Sequence, residues 1–210
     1  MAGVLEGAWL SGQSAAGKMQ ERVLDQFHES IELARESQVL APAIVEAGRA
    51  LAACLAEGGM VLCCGNGGSA ADAQHFSGEL LGRFETERPG LAAVTLSTDT
   101  SALTAIANDY AYADVFAKQV RALGRKGDAL FAITTSGNSE NVVRAVKTAH
   151  ERGIAVVALT GRDGGAMAGV LDEGDIEIRV PGHRTSRIQE VHGLIIHCIC
   201  DLVDAELIGA

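Results

Sequence analysis

Apolar residues recur at helical spacing early in the chain, at Val23, Leu24, Phe27, Ile31 and Leu33. Between residues 20 and 57 the only glycine is Gly48 and the only proline is Pro42. This pattern predicts two helices broken near Pro42, the second ended by Gly58-Gly59. The pattern then changes period. "MVLCCG" reads as a buried strand, Ser69 to Gly82 as a helix and "LAAVTLS" as a strand. "TSALTAIAND" and "DVFAKQVRAL" read as helices, "ALFAITT" as a strand and "SGNSENVVRAVKTAHERG" as a helix. "AVVALT" is a strand before a short glycine-rich helix, and "DIEIRV" is the last strand. A final helix is predicted from about Thr185 to about Leu207.

Strands alternating with helices, several of them near-continuous apolar runs, predict an α/β fold whose parallel sheet is covered on both faces. In such sheets ligands bind beyond the carboxyl ends of the strands. The candidate loops follow Cys64, Ser97, Thr135 and Thr160. A chain of 210 residues fits one large domain with a helical extension, 20–210, behind a flexible arm at 1–19.

Charge narrows the function classes. The net charge is −10, which disfavours general binding to nucleic acid or anionic membrane. No apolar run reaches the length of a membrane span, and the first twenty residues have no basic n-region, so a cytoplasmic protein is expected. The five cysteines lie mostly in apolar runs without zinc-finger spacing, and read as reduced, buried thiols.

Two ends of a site can be read. In "TTSGNS" several hydroxyls flank Gly137 where a strand feeds a helix, an arrangement suited to a phosphate. An ordinary N-cap uses the same residue types. "CGNGGSA" offers a second nest of backbone N–H groups, and "TGRDGG" a weaker one. Neither the nucleotide P-loop nor the dinucleotide fingerprint is present. His75 and Glu79, at i and i+4, share a helix face, where they can hold a metal, serve as acid and base, or simply pair on the surface. The last helix carries Gln189, His192 and His197; a histidine there is either a ligand or a buried, hydrogen-bonded core residue. His, Glu and an amide oxygen suit zinc or a similar divalent ion. A phosphate anchor with a His/Glu centre points to aldose–ketose isomerisation of a phosphosugar, in which one base carries a proton between adjacent carbons.

The segments "CGNGGSAADAQHF", "TAIANDY", "ITTSGNS", "LTGRDGG" and "RIQEVH" together resemble the sugar isomerase (SIS) domain, and within it the phosphoheptose isomerases, over about residues 20–207. The resemblance implies an αβα sandwich with a five-stranded parallel sheet, a homotetramer and one zinc per site. It implies conversion of sedoheptulose 7-phosphate to D-glycero-D-manno-heptose 7-phosphate, feeding heptose into lipopolysaccharide or related glycans. By motif, Glu79 is the implied base and His197 the implied acid. His75, Glu79, Gln189 and His197 are the implied metal ligands. Asn66, Gly67, Gly68, Asn108, Asp109, Glu79 and Gln189 are implied at the sugar, and Thr134, Thr135, Ser136 and Ser139 at the phosphate. Thr134 departs from the serine common in the family but keeps the hydroxyl.

"GRFETERPG", "AKQVRALG", "RTSRIQEVH" and "CICDLVD" also resemble the replication-initiator-associating SIS protein, a binding module on the same tetramer. That relative replaces the glutamate and the terminal-helix histidine that this chain keeps, so the isomerase reading is preferred. One conflict remains. Gln189 and His197 lie eight residues apart, about 12 Å along a straight helix, too far to share an ion easily. His192 suits Gln189 better by spacing. Sites shared between subunits, with His197 reaching across through a face of Val191, Leu194, Ile195, Ile199 and Leu202, would resolve the conflict.

Overall fold

The computed structural model describes residues 12–209. Helix α1, Gly12–Glu36, passes through a 3-10 turn at Ser37–Leu40 into α2, Ala41–Ala56, with a proline in the first turn of α2. The break falls where Pro42 predicts it. Residues 12–19 of the expected arm are helical and continuous with the predicted helix, although Gly12 and Gly17 lie among them. Residues 1–11, and the reading of them as an arm without a signal, lie outside the described residues.

The remainder alternates as predicted. β1 is Val61–Cys64, α3 Gly68–Leu81, β2 Ala93–Thr95, α4 Thr100–Asp109, α5 Val115–Leu123 and β3 Ala129–Ile133. Then follow α6 Glu140–Arg152, β4 Ala155–Gly161, the short α7 Gly165–Ala168, β5 Ile176–Val180 and α8 Thr185–Ile208. The five strands are all parallel in the order β2-β1-β3-β4-β5. Connections leave β1 toward β2 on one side, and the chain returns to β3 on the other. The gap beyond the carboxyl ends of β1 and β3 is therefore the topological switch point, where such sheets hold ligands.

Period-two alternation divides the core. Val61 and Cys63 join Phe131, Val157 and Ile178 under α2, α3 and α8. Leu62 and Cys64 join Leu130, Ala132 and Val156 under α5 and α6. Both faces of β1 are buried, which is why it reads as an unbroken apolar run. One 18-residue window within Gly17–Ala56 has a mean hydropathy of 1.6, apolar enough in composition to cross a membrane. It spans the helix break region and includes the α2 residues Ala47, Leu51 and Ala52 buried in the chain's own core, while 28% of the window is buried in all.

The apolar face of α8 is used differently from expectation. Val191, Ile195 and Ile199 are 2% exposed or less and pack into the sheet-facing core. Only Leu194 of that set is exposed, at 51%. Among the described residues, exposed large apolar side chains gather on α1, at Val23, Leu24, Phe27 and Ile31.

Candidate active site

The loop after β3 carries the expected phosphate hydroxyls. The helix predicted from Ser136 begins only at Glu140, because Gly137 turns the chain with φ +67°. A Cβ at Gly137 would lie 1.8 Å from the Gly164 carbonyl oxygen, so glycine is required for both conformation and space. Asn138 fastens the same contact: its Oδ1 accepts from the Ala166 N–H at 2.9 Å. The "TGRDGG" segment is thus a buttress beneath the hydroxyl loop. The Ser139 side chain does not cap α6; it pairs with Thr134 Oγ1 at 3.1 Å. Ser136 Oγ accepts from the Asn138 N–H at 3.1 Å. Without a side-chain cap, the first turn of α6 presents N–H groups and the positive dipole end at the switch point. The simple N-cap reading is not what the structure shows.

The nest after β1 is tied to this loop. Asn66 and Asn141 exchange two amide hydrogen bonds, 2.8 and 2.9 Å, and the Tyr112 hydroxyl donates to Asn66 Oδ1 at 3.0 Å. Asn66, expected at the sugar, therefore also braces the nest against α6. Gly67 caps the start of α3 at φ +55°, and Gly68 lies directly beneath the Gln189 amide, where a Cβ would fall 2.3 Å from Nε2. Asn108 and Asp109 bond to each other, exposed at the end of α4, and are not joined to the other site residues within the chain.

The chemistry end forms between α3 and α8. His75 Nε2 lies 3.2 Å from Glu79 Oε1 and 3.3 Å from His197 Nε2, with the two rings edge-on. Glu79 is 26% exposed and His75 42%. The juxtaposition is made within one chain, so His197 has no geometric need to reach into a neighbour. Gln189 is elsewhere. It rests on Gly68, seven residues before His75, or about 10 Å along α3. The spacing conflict is resolved by separation: within the chain Gln189 sits with the nest and His197 with the His/Glu pair.

His192 is a core residue. It is fully buried, and its Nε2 donates to the Thr160 carbonyl at 2.9 Å. Burial holds its pKa down to about 4, from an ordinary 6.5, with the Thr160 bond opposing. The folded state thus keeps His192 neutral where the unfolded chain takes up a proton. Its contribution, about 3 kcal/mol, is complete above pH 6.5 and is lost as pH falls toward 4. Replacing His192 with Phe should flatten that acid limb in urea titrations run between pH 4 and 7; an unchanged slope would refute the assignment.

Two residues escaped the sequence reading. Asp72 lies three residues before His75 on the same helix face, and its Oδ2 is buried without a hydrogen bond. Burial raises its pKa and the nearby His75 pulls it back. The i, i+3, i+7 line Asp72–His75–Glu79 was the available signal. Tyr112, in the turn before α5, had none. The thiols behave as read for four of five: Cys54, Cys63, Cys64 and Cys200 are buried and Cys198 is exposed. Burial, then Glu79 and Asp204, push Cys200 up to about 12.

Two atoms, Glu79 Oε1 and His197 Nε2, converge on His75 Nε2, yet a neutral imidazole nitrogen carries one hydrogen or one lone pair and can satisfy one of the two contacts. A tetrahedral zinc with bonds of 2.0–2.1 Å would set its ligand atoms about 3.3 Å apart, which the two contacts of His75 match. Among the described residues no group of three or more His, Cys, Asp or Glu side chains is placed to hold a metal ion, so the trio is not a preformed cage. The donor types and the two edges at His75 suit a divalent ion, although the three side chains are not assembled around one point.

A hydroxyl loop and a glycine nest braced together at the switch point of a 2-1-3-4-5 parallel sheet, beside a His/Glu/His trio, define a sugar-phosphate-binding α/β domain. The SIS domain family model matches residues 24–161. The chain belongs to the phosphoheptose isomerases of the SIS family. It is 61% identical over 190 residues to the phosphoheptose isomerase of Alkalilimnicola ehrlichii, covering 90% of this chain and 97% of that one. The solved phosphoheptose isomerase of Neisseria gonorrhoeae superimposes with a TM-score of 0.85 at 55% identity, covering 89% of this chain and 99% of the other. That of Francisella tularensis gives 0.86 at 46%, covering 89% and 98%. These identities, with Glu79 and His197 in place, favour the isomerase over the replication-initiator-binding alternative.

Proposed function

We infer that the protein interconverts sedoheptulose 7-phosphate and D-glycero-D-manno-heptose 7-phosphate. The observation that carries the chemistry is the meeting of Glu79, His75 and His197 between α3 and α8. The phosphate sits at the hydroxyls of Thr134, Thr135, Ser136 and Ser139 and the uncapped first turn of α6. Gln189, Gly67 and Gly68 line the path of the sugar chain, whose carbonyl end lies farthest from its phosphate. Glu79 removes the proton from C1 of the ketose while His197 protonates the C2 oxygen, giving an enediol. Glu79 returns the proton to C2 and the O1 proton leaves to His197, giving the aldose. His75, at 3.2 Å, orients the Glu79 carboxylate.

His75, Glu79 and His197 would hold a zinc ion, which when bound supplies positive charge to polarise the substrate oxygens. A chain with a core of this size does not need a metal to fold. Chelation should therefore cut turnover strongly while far-ultraviolet circular dichroism keeps its helical signal; cooperative unfolding on chelation would show a structural metal instead.

The exposed apolar stripe of α1, with Leu194, supports a homotetramer in which sites lie near subunit contacts. A cytoplasmic location and a role in lipopolysaccharide heptose supply follow from this reading. The deciding experiment is turnover of sedoheptulose 7-phosphate by purified protein in a coupled assay. No turnover by folded, zinc-loaded protein would overturn the assignment.

A further inference from the structure

Arg88 lies seven residues beyond α3, with a side chain 2% exposed. Its guanidinium meets four oxygens. Nε donates to Asp204 Oδ1 at 2.5 Å, Nη1 to the carbonyls of Leu80 at 3.0 Å and Pro89 at 3.3 Å, and Nη2 to the Glu79 carbonyl at 2.9 Å. Asp204 lies on α8, seven residues after His197, and is 5% exposed. Its other oxygen is buried with no hydrogen bond, so Arg88 is its hold among the described residues.

A buried ion pair is not by itself a stabilising device, because desolvation offsets the attraction. This pair has a geometric consequence. The last carbonyls of a helix lack partners within it. Here Arg88 takes those of Glu79 and Leu80 and ties them to the helix that carries His197. Contacts between α3 and α8 advance in step: Gly68 with Gln189, His75 with His197, then the end of α3 with Asp204 through Arg88. The helices thus run parallel, and a slip of one residue would move Glu79 past His197 by about 1.5 Å.

We propose that Arg88 and Asp204 form a clamp that sets the axial register of α3 on α8, and through it the spacing of Glu79, His75 and His197. Neither touches substrate; both are positioning residues. The proposal rests on the isomerase reading for its kinetic arm only.

Two variants test it, with Arg49→Gln as a control that removes an exposed ion pair between α2 and Glu206 of α8. Asp204→Asn keeps the shape and removes the charge. Arg88→Met with Asp204→Leu removes both charges, so no buried ion is left uncompensated and folding should survive. In both, kcat should fall about tenfold to a hundredfold, the scale of an ångström of misplacement, with KM within about twofold. The control should stay at wild-type kcat. With ¹³C-labelled histidine, the His75 and His197 ring resonances should move while those of His150 and His192 hold. A folded double variant with kcat within twofold of wild type, or with unmoved His75 and His197 signals, overturns the clamp. So does failure of both variants to fold, since the pair would then be a staple of the whole core. A wild-type chain that fails to turn over sedoheptulose 7-phosphate would instead sink the isomerase reading, and the resonance measurement would still judge the clamp.

Discussion

Glu79→Gln is expected to lower kcat about a thousandfold, within the range general acid–base catalysis supplies, with the fold intact. The substitution keeps the shape of the side chain. It also leaves the Glu79 carbonyl in its bond to Arg88, so α3 should end as before. What is lost is the proton acceptor and the carboxylate facing His75 at 3.2 Å. KM should change little, because the hydroxyl loop and the nest proposed to hold the sugar phosphate are untouched. Steady-state kinetics beside circular dichroism decide the matter. A variant within tenfold of wild-type kcat would remove Glu79 from the base role and turn attention to Asp72, the half-buried carboxylate on the same helix face.

Gly137→Ala is expected to cost stability and substrate affinity together. The new methyl group would need a positive φ and would be driven into the Gly164 carbonyl, backbone against backbone. No side-chain rotation relieves that contact. A loss of about 3 kcal/mol or more is expected, as for severe strain at a special backbone position, read as a lowered urea midpoint. Because the displaced segment carries Ser136 and Ser139, KM should rise at least about tenfold, with a smaller change in kcat. Normal KM in a destabilised variant would mean that the loop holds structure and not phosphate.

Much of the architecture was legible because it rests on local periodicity. Short, near-continuous apolar runs announced the strands. Glycine and proline marked the turns, and α4 runs from Thr100 to Asp109 as predicted. The same local rules put His75 and Glu79 on one face of α3. They erred where a distant segment intervenes. The helix after β3 starts late because Gly137 is shaped by Gly164, and Val191, Ile195 and Ile199 of α8 pack into the chain's own core.

The sequence by itself determined the layered α/β fold, the loops that could bind phosphate and the pairing of His75 with Glu79, since each depends on spacing along a single element. Tertiary structure alone decided that His197 meets His75 while Gln189 lies at Gly68, that His192 is buried, and that Arg88 links Glu79 to Asp204. The reason is physical. Rise and turn per residue set where side chains lie around one helix, but the partner of that helix and its axial register come from burial and hydrogen bonds between residues far apart in the chain.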